Sequence, residues 1–158
     1  MTRALPPADP RWPERTFSHR LMRLVNLIAK PFFARYAEET DLSINEWRVL
    51  MLLAAHPGLT ASDIAERSGM LLMNVSRAVR RLARMRRVQR RRDPADARRA
   101  LLRLTARGEA IFARIAPQAR RSEESVRGQL STAEAAEFSR LLDKLLAGLR
   151  SQRGNGRA

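Results

Sequence analysis

The stretch from Asn74 to Arg103, NVSRAVRRLARMRRVQRRRDPADARRALLR, constrains this chain more than any other. Between Arg77 and Arg103 it holds 12 arginines against two acids, Asp93 and Asp96, so 12 − 2 gives +10 of the chain's net +15. Its first part has helical periodicity. At about 100° per residue, Leu72, Val79 and Leu82 fall within roughly 60° of Val75, while Arg77, Arg80, Arg81 and Arg84 gather on the far side. One face is therefore expected to be core and the other a row of guanidinium groups. Such a row repels itself unless anions neutralise it, and the planar fork of arginine matches phosphate oxygens or the O6/N7 edge of guanine.

The helix is expected to stop near Arg86. Val88 to Arg92 then reads as a short strand, Asp93-Pro94 as a turn, and Ala100 to Leu104 as the returning strand. A helix followed by a basic two-stranded ribbon is the plan of a winged helix-turn-helix, in which the helix enters a major groove and the ribbon tip reaches the adjacent minor groove or the backbone. Arg90 and Arg99 lie on that ribbon.

Upstream, Thr60-Ala61-Ser62-Asp63 carries the pattern of a helix start, with Thr60 capping and Asp63 in third place. This short helix turns Ile64 and Ala65 inward and ends at Ser68-Gly69, where glycine can take the left-handed conformation. A short helix, a glycine turn and a basic helix follow one another, which is the helix-turn-helix order. Thr60, Ser62 and Asn74 join the candidate contact set. Ser43-Ile44-Asn45-Glu46 is another capping box, opening a helix through Trp47, Val49, Leu50 and Leu53 that ends before His56-Pro57-Gly58. Trp47 reads as core or as a pocket wall.

The flanks are helical and greasy. Phe17 to Glu39 has an apolar stripe of Leu21, Leu24, Val25, Ile28, Phe32, Phe33 and Tyr36, with a kink or break expected at Pro31. Thr105 to Gly128 reads as a helix kinked at Pro117. Ser131 and Glu134 cap a last helix whose Phe138, Leu141, Leu142, Leu145, Leu146 and Leu149 make a stripe too apolar for a lone surface helix. Burial between two copies would account for it. The expected organisation is an irregular arm over 1–15, a single domain over 16–150, and a disordered tail over 151–158. Within the domain, 16–40 and 105–150 would dimerise and 41–104 would form the DNA-binding lobe. The fold class is mainly α with a small β-wing.

Composition excludes several classes. A chain of 158 residues can bury a real core. The absence of cysteine removes disulfides, thiolate zinc sites and thiol redox sensing. His19 and His56 are the two histidines, and no Gly-rich phosphate loop is present, so neither a catalytic constellation nor a metal or cofactor site can be nominated. The Pro-rich start has no apolar core for a signal peptide, and the run Val49 to Ala55 is too short for a bilayer, so no membrane role and a cytoplasmic location are expected. The competing function is a non-specific nucleic-acid binder, architectural or RNA-binding. The shortage of exposed aromatic platforms and the turn and wing after the basic helix count against it.

Taken in order, Leu42-Ser43-Ile44-Asn45-Glu46-Trp47-Arg48-Val49-Leu50, His56-Pro57-Gly58-Leu59-Thr60, Asp63-Ile64-Ala65, Val75-Ser76-Arg77-Ala78-Val79, Asp93-Pro94-Ala95-Asp96-Ala97-Arg98, Leu104-Thr105 and Gly108 resemble the successive signatures of the MarR (multiple antibiotic resistance regulator) family. The resemblance covers about residues 17 to 150. It implies a homodimeric regulator whose two basic helices read a near-palindromic double-stranded operator, with half-sites on the order of 34 Å apart. It also implies a small anionic or aromatic effector that weakens DNA binding, commonly held between the dimerisation helices and the DNA-binding lobe. Ser76 and Arg77 fall where the family's recognition helix contacts backbone and bases. Asp96 and Arg98 fall on its Asp-x-Arg wing pattern, where the carboxylate orients the minor-groove arginine. For the effector, His19 and Arg23 are candidate anion partners beside Trp47.

Two departures from the family pattern carry expectations of their own. Leu71, Leu72 and Met73 replace the usual polar start of the recognition helix, and Met70 and Met73 are expected to face the groove. The glycine that usually closes this helix is Arg86 and its apolar follower is Arg87, so the helix is expected to run on slightly and both residues to add surface charge.

Overall fold

The structure is a computed structural model that describes residues 12–96 and 98–155, with the side chains of all these except 12–13, 31–38 and 152–155. Its elements are α1 (Trp12–Arg15), α2 (Phe17–Thr40), α3 (Ile44–Ala55), α4 (Ala61–Ser68), α5 (Leu72–Arg84), β1 (Val88–Arg92), β2 (Ala100–Leu104), α6 (Ala106–Arg127) and α7 (Thr132–Asn155). They form two compact units, divided between Ala119 and Arg120 within α6.

Capping chemistry places the helix starts. The Ser43 amide donates to Glu46 Oε2 at 2.8 Å and the Glu46 amide returns a bond to Ser43 Oγ, closing the box that begins α3. Thr60 and Asp63 do the same for α4, and Gly69 closes that helix at φ +69°. In the second unit Ser131 and Glu134 repeat the box at α7. Its Phe138, Leu141, Leu145, Leu146 and Leu149 are all exposed.

The core of the first unit is built from Leu42, Trp47, Val49, Leu50, Leu53, Ile64, Val75, Val79, Leu82, Val88, Leu102, Leu104 and Ile115. Helices α3, α4 and α5 thus pack under the sheet and the start of α6. The wing is antiparallel, with Val88 opposite Leu104 and Arg92 opposite Ala100. Along β2 the inward residues Leu102 and Leu104 are buried while Arg103 between them is exposed, the alternation a half-buried strand requires. The outer edge of β2 is paired too: the Gly58 amide donates to the Leu102 carbonyl and the Leu102 amide to the Leu59 carbonyl. This leaves β2 no free edge at that point.

The wing root is clipped to α6. Thr105 donates its hydroxyl to the Arg86 carbonyl at 2.6 Å and its amide to the Arg87 carbonyl at 3.0 Å, and its Oγ1 accepts from the Gly108 amide. Gly108 is required by closeness: a Cβ there would sit 2.0 Å from the Arg87 carbonyl oxygen.

Several expectations change. One helical turn, α1, occupies Trp12–Arg15 of the expected irregular arm, whose remainder lies outside the described residues. Pro31 does not break α2, which is continuous from Phe17 to Thr40; the side chains of Phe32, Phe33 and Tyr36 are outside the described set. Helix α7 continues to Asn155 through most of the expected disordered tail, with 156–158 outside the described residues. Nor does α5 run on. It ends at Arg84, and Arg86 adopts the left-handed conformation itself, at φ +55°. The tight join to the wing root demands that turn whether or not glycine is present to make it.

Candidate nucleic-acid interface

The α4–Gly69–α5 unit positions the site. Val75, Ala78, Val79 and Leu82 are buried, so the opposite face of α5 must carry Arg77, Arg80 and Arg84 outward. These three line one shallow groove of about 300 Å³. Arg80 donates from Nε to the Ser76 carbonyl, a long bond at 3.4 Å that leaves most of its guanidinium available.

A second concavity, of about 420 Å³, lies where the start of α4, the middle of α5 and the wing converge. Thr60, Ser62, Ser76, Arg90, Arg98 and Arg99 all line it. Six of the residues singled out from sequence therefore share one cleft, although they span 40 positions of chain. The Ser62 and Ser76 hydroxyls with three guanidinium groups are a donor set suited to phosphate oxygens, while the Thr60 hydroxyl is committed to Asp63.

Asp63 also lines this cleft, a place that its sequence pattern does not disclose. The Thr60 amide and hydroxyl both donate to its Oδ2 at 2.8 Å. These bonds, with smaller help from Arg99 and Arg67, hold its pKa below the usual carboxylate value. Asp63 faces Arg99 Nη2 at 3.8 Å, and Asp93 faces Arg99 Nη1 at 3.9 Å. The two acids restrain one wing arginine over the cleft. The third position of a capping box is the local signal for Asp63; the approach of a wing arginine 36 residues later leaves no local trace.

At the wing tip the Asp96 carboxylate accepts from the Arg98 backbone amide at 3.0 Å, not from its guanidinium. The carboxylate thus braces the main chain at Arg98 and makes no bond to its side chain. Asp93 likewise accepts from the Ala95 amide, giving the turn two side-chain braces.

Arg81 is not part of the outward row. Its Nη1 donates to both Glu46 oxygens, at 3.0 and 2.8 Å, and its Nη2 to Asp41. The bonds to Glu46 first, and to Asp41 second, raise its pKa. Both its terminal nitrogens are engaged by carboxylates of its own chain, Nη1 by a Glu46 that is itself buried. Arg87, expected as surface charge, is 5% exposed. Its Nη2 donates to the Thr40 carbonyl at 2.6 Å, while Nε and Nη1 are buried without a partner. Burial, then repulsion from Arg107, lowers its pKa.

Asn74 is half-buried on α5. Met70 packs against the core instead of facing outward, whereas Leu72, expected on the core face, is half exposed, because the first turn of α5 projects past the core. The effector candidates are not gathered around either cleft. Trp47 is buried and stacks on Phe112 at 5.6 Å between ring centroids; His19 is half-buried, its amide donating to Thr16 Oγ1; Arg23 is exposed. Among the described residues no acidic or histidine cluster could hold a metal ion, and no helix is long and apolar enough to cross a membrane.

A helix-turn-helix with an arginine face, and a two-stranded wing that closes a hydroxyl- and guanidinium-lined cleft beside it, define a winged helix DNA-binding protein. Comparison with known proteins places it further. The MarR family model matches residues 40–99. The transcriptional regulator HosA of Escherichia coli O111:H- is 31% identical over 114 residues, which are 72% of this chain and 84% of that protein. The S. aureus MepR–DNA complex is a structural neighbour with a TM-score of 0.76 and 26% identity, covering 86% of this chain and 98% of that one. The PcaV transcriptional regulator from Streptomyces coelicolor, solved in complex with its natural ligand, has a TM-score of 0.71 and 26% identity over 89% of this chain and 96% of that one. The chain belongs to the MarR family. It is a DNA-binding transcriptional regulator and not an enzyme.

Proposed function

We propose that the chain acts as a homodimeric repressor, placing one α5 in each of two successive major grooves of a near-palindromic operator, and that a small aromatic or anionic effector releases it. The observation that carries this reading is the shared cleft of Thr60, Ser62, Ser76, Arg90, Arg98 and Arg99 beside the Arg77–Arg80–Arg84 row. On it, phosphate contacts in the cleft set the register of the recognition helix, and Arg98 at the wing tip enters the minor groove.

Dimerisation is assigned to 16–40 and 105–150, and DNA binding to 41–104. Phe17, Met22, Leu24, Val25 and Leu27 on α2 and five large apolar side chains on α7 are exposed in a single copy. So much apolar surface on a soluble regulator calls for a partner, and two-fold symmetry supplies an identical one. The effector reading rests on the ligand-bound PcaV relative, with His19 and Arg23 as anion partners and location in the cytoplasm following from the target.

The test is binding of the purified protein to the DNA immediately upstream of its own gene, against a scrambled duplex of equal length, across a salt series. Two-fold-symmetric protection that survives moderate salt is expected. Equal binding to both duplexes, lost together with the steep slope of counterion release, would favour general nucleic-acid binding instead.

A further inference from the structure

The recognition helix opens on apolar side chains. Leu71, the residue preceding its first turn, makes no side-chain capping bond, and Leu71, Leu72 and Met73 are 68%, 49% and 63% exposed. Three consecutive large apolar residues held in water cost free energy unless something covers them. Their place says what does. At about 100° per residue, Met73 lies within about 40° of Arg77, Arg80 and Arg84 on the helix surface, so it heads the arginine stripe. Whatever lies along those arginines lies over Met73; Leu72, about 100° round the surface, and Leu71, just before the first turn, are exposed beside it at the helix end.

In a helix-turn-helix the N-terminal residues of the recognition helix meet base edges, while residues further along meet backbone. Charge selects duplex DNA as the occupant of this face: the stripe behind Met73 is wholly cationic, and the neighbouring cleft is lined by three more arginines. A leucine side chain can neither donate to guanine nor accept from cytosine, and the methionine thioether is no donor and only a weak acceptor. The apolar group that a major groove offers is the C5 methyl of thymine.

We propose that Leu71, Leu72 and Met73 are specificity-determining residues that select duplex sites with thymine methyl groups beneath the first turn of α5. This inference rests on the DNA-binding reading and deepens it by naming the base feature recognised. Asn74, next to Met73, and Arg77, one turn further on, then supply the hydrogen-bonded part of the readout, and the cleft supplies register.

The experiment uses the full chain and a consensus duplex enriched from a random library. The consensus is resynthesised with uracil replacing thymine one position at a time, which deletes a single methyl and leaves every hydrogen-bonding group. Affinity should fall about fourfold for each methyl that the helix covers, at matching positions in the two half-sites, and not elsewhere. In the triple variant Leu71→Ala, Leu72→Ala, Met73→Ala, uracil and thymine duplexes should bind alike; all three positions are exposed, so the fold is retained, as its circular dichroism can verify. Equal affinity of native protein for uracil and thymine duplexes would overturn the proposal while leaving DNA binding intact. So would a uracil penalty that persists in the triple variant, since that penalty belongs to DNA shape. Failure to enrich any duplex would remove the regulator reading and this one with it, and mutual burial of these residues between two copies would then show as association abolished by the same variant.

Discussion

Arg81 holds both oxygens of the Glu46 carboxylate, at 3.0 and 2.8 Å, and so ties the C-terminal half of the recognition helix to the first turn of α3. Glu46 is 3% exposed and already caps its own helix through the Ser43 amide. The same carboxylate therefore fixes where α3 begins and how α5 lies across it. Arg81 also reaches Asp41, whose backbone is in the left-handed region at φ +50°. One arginine of the basic helix thus serves the architecture, while its neighbours Arg77, Arg80 and Arg84 keep their guanidinium groups on the outer face.

Removing Arg81 should cost stability. Arg81→Ala strands a buried carboxylate, a loss of about 3–5 kcal/mol for a fully buried pair. The arginine side chain is one-third exposed, so solvent screening reduces the expected loss to about 2 kcal/mol. Urea denaturation reads this directly. A double variant with Glu46→Gln should lose less than the sum of the two single variants; strict additivity would show that the ion pair carries no coupling.

Arg77→Ala and Arg98→Ala should behave in the opposite way. Both residues are exposed, so the denaturation midpoint should stay put. Operator affinity should fall, and the slope of log affinity against log salt should shrink by about one for each phosphate that no longer meets a guanidinium. Arg98→Ala should hurt most on operators with a narrow minor groove at the wing. Unchanged affinity in both variants would remove the proposed docking.

Arg87 is a buried cation with two unpartnered donors and one bond to the Thr40 carbonyl. Its desolvation is offset only in part. Arg87→Leu restores an apolar side chain of adequate volume and should raise stability by about 1–2 kcal/mol, whereas Arg87→Ala leaves a void and should not. A Leu variant less stable than the parent would mean that the Thr40 bond outweighs the stranded donors.

The fold was legible wherever its determinants are local. Ser43 with Glu46, Thr60 with Asp63 and Ser131 with Glu134 lie three residues apart, and each starts a helix where the pattern placed it. The wing strands occupy the expected residues because Asp93 and Pro94 set the turn and the alternation around Leu102 sets the face. The fates of Arg81 and Arg87 were not legible. Their partners are 35 and 47 residues away, and a helical wheel shows which way a side chain leaves its own helix, not what comes to meet it. Leu72 failed for the same reason: it lies on the core side of α5 by angle, yet the core ends before the helix does.

Arg86 turns the chain at φ +55° where a residue with a Cβ is strained. The left-handed conformation costs about 1–2 kcal/mol for a side-chain-bearing residue, part of which glycine gives back through its freer unfolded chain. Arg86→Gly should therefore stabilise the protein by about 0.5–1 kcal/mol, seen as a higher urea midpoint at unchanged slope. It also removes one positive charge at the wing root, so weaker non-specific DNA binding should accompany the gain. A lower midpoint would show that Arg86 makes a compensating interaction through its side chain.

Asp63 links folding to pH. Its bonds from Thr60, with help from Arg99, lower its folded pKa below the ordinary value of 3.8. The sign follows: in the unfolded chain the group takes up its proton at higher pH, so its stabilising contribution is complete above about pH 4 and is lost as pH falls through the depressed folded pKa. Asp63→Asn keeps the shape, removes the charge, and should cost about 1 kcal/mol at neutral pH through the weakened cap. The cost should shrink as the pH drops below 4, because the parent loses the same interaction there. The variant also frees Arg99 from one of its two acids, so DNA affinity should rise even as stability falls. Parallel stability curves for parent and variant from pH 7 to pH 3 would show that the carboxylate's charge plays no part in holding α4.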